Sequence, residues 1–534
     1  MASGLLLALC FPPLHPLILP FVALVPFAVW AHDLPAGAEG RWAACRGGVL
    51  LGAVYFSLLL YWIVVALLRV TPLGIVAFAM VIGGLAALTG AFAWLLHRAL
   101  HTARAPLWLA LPVGWTSLEW VMAHLPDTLA FPWLGLGTSL TAFPELVGIA
   151  EIVGARGVTF WIALVNGLVA VLVVRRRERR LRAALSGGLV TVVVLIAPMV
   201  WGVWRASSLD LRPAARVAVI QPNIAQDLRF EPALARDSTF AALDRLVPMI
   251  VPGTVELVVL PEMTVNTLMV DGVGAHPETT RLQAYSRALG APVLFGGLGS
   301  DRAGADTTPR REAHATVYNS AFLMRPSGLA EYRYDKRHLV PVVERVPFLP
   351  ARLAREERSL GVYGVGESGQ LAEVGNTAFG VLICYESAYA AASRAYRMEG
   401  ADVLVNITND AWYGRASTNT WTTALWQHPA HLVMRAIENR VGVARSANTG
   451  ISLFVDPVGR MHEPTRLFEE DVRVAEVLTT DILTVYTRYG DLLGNACAAA
   501  SLALMVLVVF KRAGPGRMVG RPPLPRLDPS SRLF

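Results

Sequence analysis

Cys384 closes the apolar run Gly380-Val381-Leu382-Ile383 and is followed at once by Tyr385 and Glu386. A buried strand that ends on a thiol holds it at a site. Forming a thiolate at pH 7 from a group of pKa ~8.5 costs about 2 kcal/mol. A neighbouring base removes that handicap within the reaction step. Glu262 ends the run Val258-Val259-Leu260-Pro261 and could be that base. Partial desolvation at a strand end would raise its pKa toward the useful range. Lys336, in Tyr334-Asp335-Lys336-Arg337-His338-Leu339-Val340-Pro341, could stabilise the oxyanion of a tetrahedral intermediate. Losing one such donor costs about 3–4 kcal/mol. Glu, Lys and Cys in this order, each at a strand end, suggest thiol-based acyl chemistry.

Each residue alone has a plainer reading. Free cysteine is among the most buried residue types, and exposed Glu and Lys are common. Glu344, between Pro341 and Pro347, could hold Lys336, contact substrate or pair with Arg345. The stretch Asn406-Ile407-Thr408-Asn409-Asp410-Ala411-Trp412-Tyr413-Gly414 reads first as turn chemistry, and as a pocket wall if its strand end faces that of Cys384. His428 and His431 fall on one helix without an acidic third ligand, so packing or hydrogen bonding is expected rather than zinc. The four cysteines, Cys10, Cys45, Cys384 and Cys497, form no CxxC pair, and neither a disulfide framework nor a metal site is expected.

The elements that must position these residues divide in two. The 534-residue chain is 54% hydrophobic and 16% charged, well below the roughly 25% charge of soluble chains, which points to a polytopic membrane protein with an extramembrane part. Apolar runs fall at about 3–13, 16–32, 47–68, 72–96, 106–123, 157–174, 184–204 and 491–510. The first is short, and 3–32 can equally be one hairpin broken around Pro12, Pro13 and Pro16. The N-terminus reads as a retained membrane segment. The net charge of +7 is no nucleic-acid signal, because the arginines flank apolar runs as orientation signals. Arg41 with Arg46, Arg98 with Arg104, Arg175 to Arg182, and Lys511 with Arg512 share one side if eight spans cross with both termini inside. Glu119 in the fifth run reads as functional or helix-bridging, or as reaching water near the outer end.

The segment from 206 to 490 changes character. Strands are predicted at 216–221, 255–262, 291–297, 317–325, 377–384 and 402–407. Helices are predicted at 232–250, 279–289 and 428–441. A strand pair at 442–455 and 461–477 is joined through Asp456-Pro457-Val458-Gly459. This is a layered α/β domain. The expected domains are 1–205 with seven transmembrane helices, 206–488 outside the cytoplasm, 489–511 as an eighth helix, and 512–534 as a disordered cytoplasmic tail.

Glu262 after strand and proline, Lys336 before His338-Leu339-Val340-Pro341, and Ile383-Cys384-Tyr385-Glu386 resemble the nitrilase superfamily. The likeness is closer to the bacterial apolipoprotein N-acyltransferases, with Phe131-Pro132-Trp133-Leu134, Asn409 to Gly414, Met434-Arg435-Ala436 and Arg445 to Gly450 also matching. It covers about residues 1–512. The resemblance implies an α-β-β-α sandwich between seven membrane helices and an eighth, in the bacterial inner membrane with the catalytic domain periplasmic. It implies a ping-pong acyl transfer with Cys384 as nucleophile, Glu262 as general base, and Lys336 with the Tyr385 N–H on the oxyanion. Glu344, Tyr385 and Glu386 are implied as supporting residues. A membrane phospholipid is the implied donor and a diacylglyceryl-apolipoprotein the acceptor, with no cofactor; a monomer is expected. The chain departs from the pattern at Val342-Val343, where Phe-Gly is usual, and at Leu260, where tryptophan is common. A membrane-anchored amidase using the same triad is the competing enzyme reading, and a scaffold with a degenerate domain the competing non-enzyme one.

Overall fold

The computed structural model describes residues 1–69, 72–126, 129–271, 276–303, 316–341, 343–345, 363–367, 369–415 and 420–510. Among these, four helices are long and apolar enough to cross a bilayer: Ala38–Leu59, Gly74–His101, Ala150–Arg177 and Ala184–Ser208. Leu19–Asp33 and Leu492–Leu507 are shorter apolar stretches, and Leu107–Ala123 has 17 residues. The expected tail 512–534 lies outside the described residues.

The first two predicted runs fold as short helices, Ala2–Ala8 and Val25–Asp33. Prolines 12, 13, 16 and 20 lie between them, and proline has no N–H to continue a helix. The run 47–68 also breaks, into Ala38–Leu59 and Trp62–Leu67. Polar side chains tie the bundle together. Glu119 bridges helices: it accepts from Trp115 Nε1 on its own helix (3.0 Å), from the Leu136 N–H (2.7 Å) and from Thr159 Oγ1 (2.8 Å). Arg177 reaches Asp33 at 3.2 Å, and His97 Nε2 lies 3.0 Å from the Pro35 carbonyl. These contacts gather the ends bearing Arg98 and Arg175 to Arg177 on one side. The opposite end of helix Ala150–Arg177 meets the second half of the chain, where the Ala155 N–H donates to Glu438 at 2.7 Å.

That second half contains strands β1 (Arg212–Gln221), β2 (Leu257–Val259), β3 (Val265–Asp271), β4 (Val293–Ala303), β5 (Val317–Arg325), β6 (Gly328–Asp335), β7 (Leu371–Val374), β8 (Thr377–Ile383), β9 (Val403–Thr408), β10 (Gly414–Arg415), β11 (Thr420–Trp421), β12 (Gly442–Ala447), β13 (Leu453–Val455), β14 (Met461–His462) and β15 (Asp471–Thr479). One sheet runs β15-β1-β2-β4-β5-β6, with β3 on β4; the other runs β14-β13-β12-β9-β8-β7. The sheets meet through β1 and β12, and β5 and β8. Helix Pro277–Leu289 packs on the first sheet, and Ala390–Met398 with Ala424–Asn439 on the second. The order is helix, sheet, sheet, helix.

The parallel strands β8, β9 and β12 are buried along almost their whole length because both faces are covered, and polar residues they carry, Asn406, Thr408, Arg445 and Ser446 among them, are buried too. The expected pair 442–455 and 461–477 is corrected. The Asp456–Gly459 turn joins β13 to β14, but β15 crosses to the other sheet and pairs antiparallel with β1. Strand β6, a run of alternating burial for which no bounds were predicted, supplies the strand end expected at Lys336.

Candidate active site

The polar residues singled out in the sequence meet where strands end. Cys384 directly follows β8, Lys336 directly follows β6, and Glu262 lies three residues past β2. The crevice beyond the carboxyl ends of parallel strands is where open α/β sheets hold ligands. Two of these turns are strained: Cys384 has φ +53° and Met263, next to Glu262, has φ +58°. Side-chain residues with φ in this range are uncommon and gather at functional sites.

Lys336 is wholly buried between two carboxylates. Its Nζ lies 2.9 Å from Glu344 Oε1 and 3.3 Å from Glu262 Oε1. Asn319 Nδ2 donates to the same two oxygens, at 2.7 Å to Glu262 and 3.0 Å to Glu344. The Asn409 N–H donates to Glu262 Oε2 at 2.9 Å, and the Val340 N–H to Glu344 Oε2 at 2.7 Å. Of the readings open for Glu344, the geometry realises the lysine contact. Lys336 is not a surface lysine.

The expectation that desolvation raises Glu262 is corrected. Burial does act that way, but the Lys336 ammonium and the donors Asn319 and Asn409 outweigh it, and the carboxyl is held below its ordinary range. For Lys336, burial alone would lower the pKa; Glu262 and Glu344 overcome it and raise it well above the usual value. Burial pushes the Cys384 thiol far up, Glu262 adds to this, and Lys336 opposes it. The resting group is therefore a thiol beside an ionised carboxylate.

Glu386 does not reach this pocket. It is fully buried and accepts from the Ile383 N–H (2.8 Å), Tyr334 Oη (2.7 Å), and the Arg337 and His338 N–H groups (2.8 and 3.1 Å). One carboxylate thus ties the cysteine turn to the lysine turn. Glu386→Ala is expected to leave these donors unsatisfied, at about 1–3 kcal/mol each before relaxation. Chemical denaturation of the variant, with thioester formation measured alongside, checks it. Tyr385 stacks on Trp133, with centroids 6.0 Å apart, and lies near Phe131.

One residue of the cluster, Asn319, was not foreseen. Asn319 lies inside β5, and an amide within Val317-Tyr318-Asn319-Ser320-Ala321-Phe322 was the available signal. His428 contacts the Cys384 carbonyl through Nε2 at 3.1 Å and Asp410 through Nδ1 at 2.9 Å. Arg445 donates to Asp410 at 2.5 Å and to Asn406. Burial raises Asp410, but Arg445 and His428 prevail and bring it to about 2. The hydrogen-bonding reading of His428 describes it well; His431 packs edge-on against Trp133.

Gly296 on β4 is what lets the Glu262 turn sit so close. A Cβ there would stand 2.6 Å from Glu262 Cα and from Met263 N. Gly296→Ala is expected to cost about 1–3 kcal/mol of stability. It is also expected to slow thioester formation by about 10²-fold, because the base is displaced. A denaturation curve paired with single-turnover acylation measures both.

A cavity of about 710 Å³ joins this polar cluster to the N-terminal apolar helices. Cys384, Glu262 and Glu344 line one end; Trp62, Leu67, Met80 and Leu88 line the other. Its size falls within the roughly 300–1,000 Å³ of small-molecule sites.

Residues 3–168 match the family model of the apolipoprotein N-acyltransferase N-terminal domain, and 216–483 that of carbon-nitrogen hydrolases. An apolipoprotein N-acyltransferase of Geobacter metallireducens is 32% identical over 96% of this chain and 94% of its own. One from Chlorobaculum tepidum is 29% identical over 76% and 77%. A solved CN-hydrolase superfamily protein of Xanthomonas campestris is 20% identical, with TM-score 0.34, over 56% of this chain and 98% of its own.

Proposed function

This chain belongs to the apolipoprotein N-acyltransferase family, and from that premise we propose that it moves a fatty acyl chain from a membrane phospholipid to the α-amine of the diacylglyceryl-cysteine of an apolipoprotein, through a thioester on Cys384. Glu262, ionised at rest, takes the thiol proton as sulfur attacks the ester carbonyl, and returns it to the departing lysophospholipid oxygen. The Lys336 ammonium and the Tyr385 N–H stabilise the oxyanion. The incoming amine then attacks the thioester, and Glu262 acts as base again. Glu344 holds Lys336, while Glu386 and Tyr385 keep the cysteine turn in place.

The observation that carries this reading is the cavity. Its apolar walls come from helices Trp62–Leu67 and Gly74–His101 and lead to the sulfur. An enzyme for a small soluble amide has no use for such a passage. For two lipid substrates it brings the ester to the thiol with little loss of orientation.

We assign residues 1–205 to seven membrane spans, 206–488 to the periplasmic catalytic domain, 489–511 to an eighth span and 512–534 to a cytoplasmic tail. The basic helix ends lie away from the sandwich, which supports its placement outside under the positive-inside rule. The protein is an inner-membrane monomer in this reading. Mass spectrometry of the intact protein after exposure to phospholipid tests the mechanism. One acyl group, labile to hydroxylamine, is expected on the Cys384 peptide; an adduct on any other residue, or none, would refute it.

A further inference from the structure

Glu262 borders two cavities, and the second is far more polar than the first. One is the apolar chamber that reaches the membrane helices. The other is smaller, about 40 Å³, with a mixed lining in which Gln226, Thr264, Asn266, Asn409 and Asn448 stand beside Ile224 and Met263. A water needs roughly 10–15 Å³ measured this way, so there is room for two or three. The exposed Ala225 forms part of its outer wall.

Two observations show that this second cavity is built for water. Gln226 is 6% exposed; its Oε1 accepts from Asn409 Nδ2 at 3.1 Å, while Nε2 has no partner among the described residues. A buried amide donor without an acceptor is costly, and a water in the cavity would satisfy it. The two oxygens of Glu262 also divide their work. Oε1 receives Lys336 and Asn319, whereas among the described residues Oε2 receives only the backbone N–H of Asn409, itself a wall of this cavity.

The reaction proposed above supplies the need, and this inference rests on it. Thioester formation releases no proton, because the thiol proton ends on the lysophospholipid hydroxyl. Amide formation is different. The α-amine has a pKa of about 7.7–8.0 and arrives mostly as ammonium at pH 7. As C–N forms and C–S breaks, the nitrogen loses two protons. One goes to the departing sulfur and the other must leave. Among the described residues, the chamber walls toward the membrane, such as Leu67, Met80, Leu85 and Leu88, carry no acceptor side chain for it. We propose that the polar cavity behind Glu262 is a hydrated proton exit, carrying from Glu262 Oε2 to solvent the one proton released with each amide.

The test uses the full-length protein with phosphatidylethanolamine and a synthetic diacylglyceryl-cysteine lipopeptide, each half-reaction timed separately by intact mass. Gln226→Leu is expected to form the thioester within about twofold of the unaltered rate, yet to transfer its acyl chain at least about tenfold more slowly at pH 7. At pH about 9 the amine arrives neutral, and transfer is expected to recover. Asn266→Leu is expected to show the same pattern and decides the matter if Gln226→Leu folds poorly. Equal slowing of both steps, unaltered transfer, or slow transfer without recovery at high pH would overturn the exit. An unaltered protein that loads acyl but never passes it to the lipopeptide would overturn the acyl-transfer reading instead.

Discussion

Cys384→Ala is expected to abolish the acyl adduct and to lower turnover by roughly 10⁵–10⁶-fold, as loss of a nucleophile does in other covalent enzymes. The fold should survive, since the change removes one buried sulfur and leaves the Glu262–Lys336–Glu344 cluster whole. The variant should therefore still bind phospholipid. The unaltered protein carries a related expectation. Burial and Glu262 hold the thiol proton on, so no thiolate accumulates at ordinary pH. Glu262, held below the usual carboxylate range by Lys336 and its hydrogen bonds despite burial, is already ionised at neutrality. Acylation by phospholipid should thus rise only at acid pH, as Glu262 ionises, then stay level through pH ~8.5, where a free thiol would add a second rise. A second rise there would show that sulfur ionises before it attacks.

Lys336→Met carries the largest expected loss of stability. It leaves two buried carboxylates facing each other with their shared cation gone. Removing one partner of a buried ion pair costs about 3–5 kcal/mol. Acylation should fall by about 10²–10³-fold through loss of the oxyanion donor. The pH dependence has a definite sign. In the unaltered protein the depressed Glu262 contributes stability above the ordinary carboxylate pKa, and that contribution is lost as pH falls through its folded value. Raised Lys336 contributes below the ordinary lysine pKa, and its share is lost as pH rises through its own folded value. In the variant only the Asn319 and Asn409 hydrogen bonds still oppose burial at Glu262, so the protonated carboxyl is favoured relative to the unaltered protein. The deficit should shrink on acidification and widen toward neutrality, read as denaturation midpoints from about pH 4 to 8. A deficit independent of pH would mean that the lysine contributes packing alone.

Glu262 and Cys384 were legible because each ends an apolar run, and Lys336 through its place before His338-Leu339-Val340-Pro341; strand period and turn position are local properties. Helix lengths near the N-terminus were less so, because prolines and polar bridges such as Glu119 decide where each helix stops. The strand β15 shows the same limit. Its alternation foretold a strand, but nothing local says which sheet receives it. The direction of the Glu262 shift was misjudged for a similar reason: its burial can be guessed from its position, but the lysine 74 residues later and the amide of Asn319 cannot.

One side-chain amide joins the two halves of the molecule. Gln427 Oε1 accepts from both Trp62 Nε1 (3.1 Å) and Trp133 Nε1 (3.0 Å), and those indoles pack against each other and against Tyr413 and Tyr385. Excising 206–488 as a free-standing fragment would strip the indoles from this junction and uncover Tyr385, Tyr413 and Gln427 together. Such a fragment should stick to itself or demand detergent. Here the bundle is part of the floor on which the thiol turn rests, so solubilising this catalyst by truncation would dismantle it.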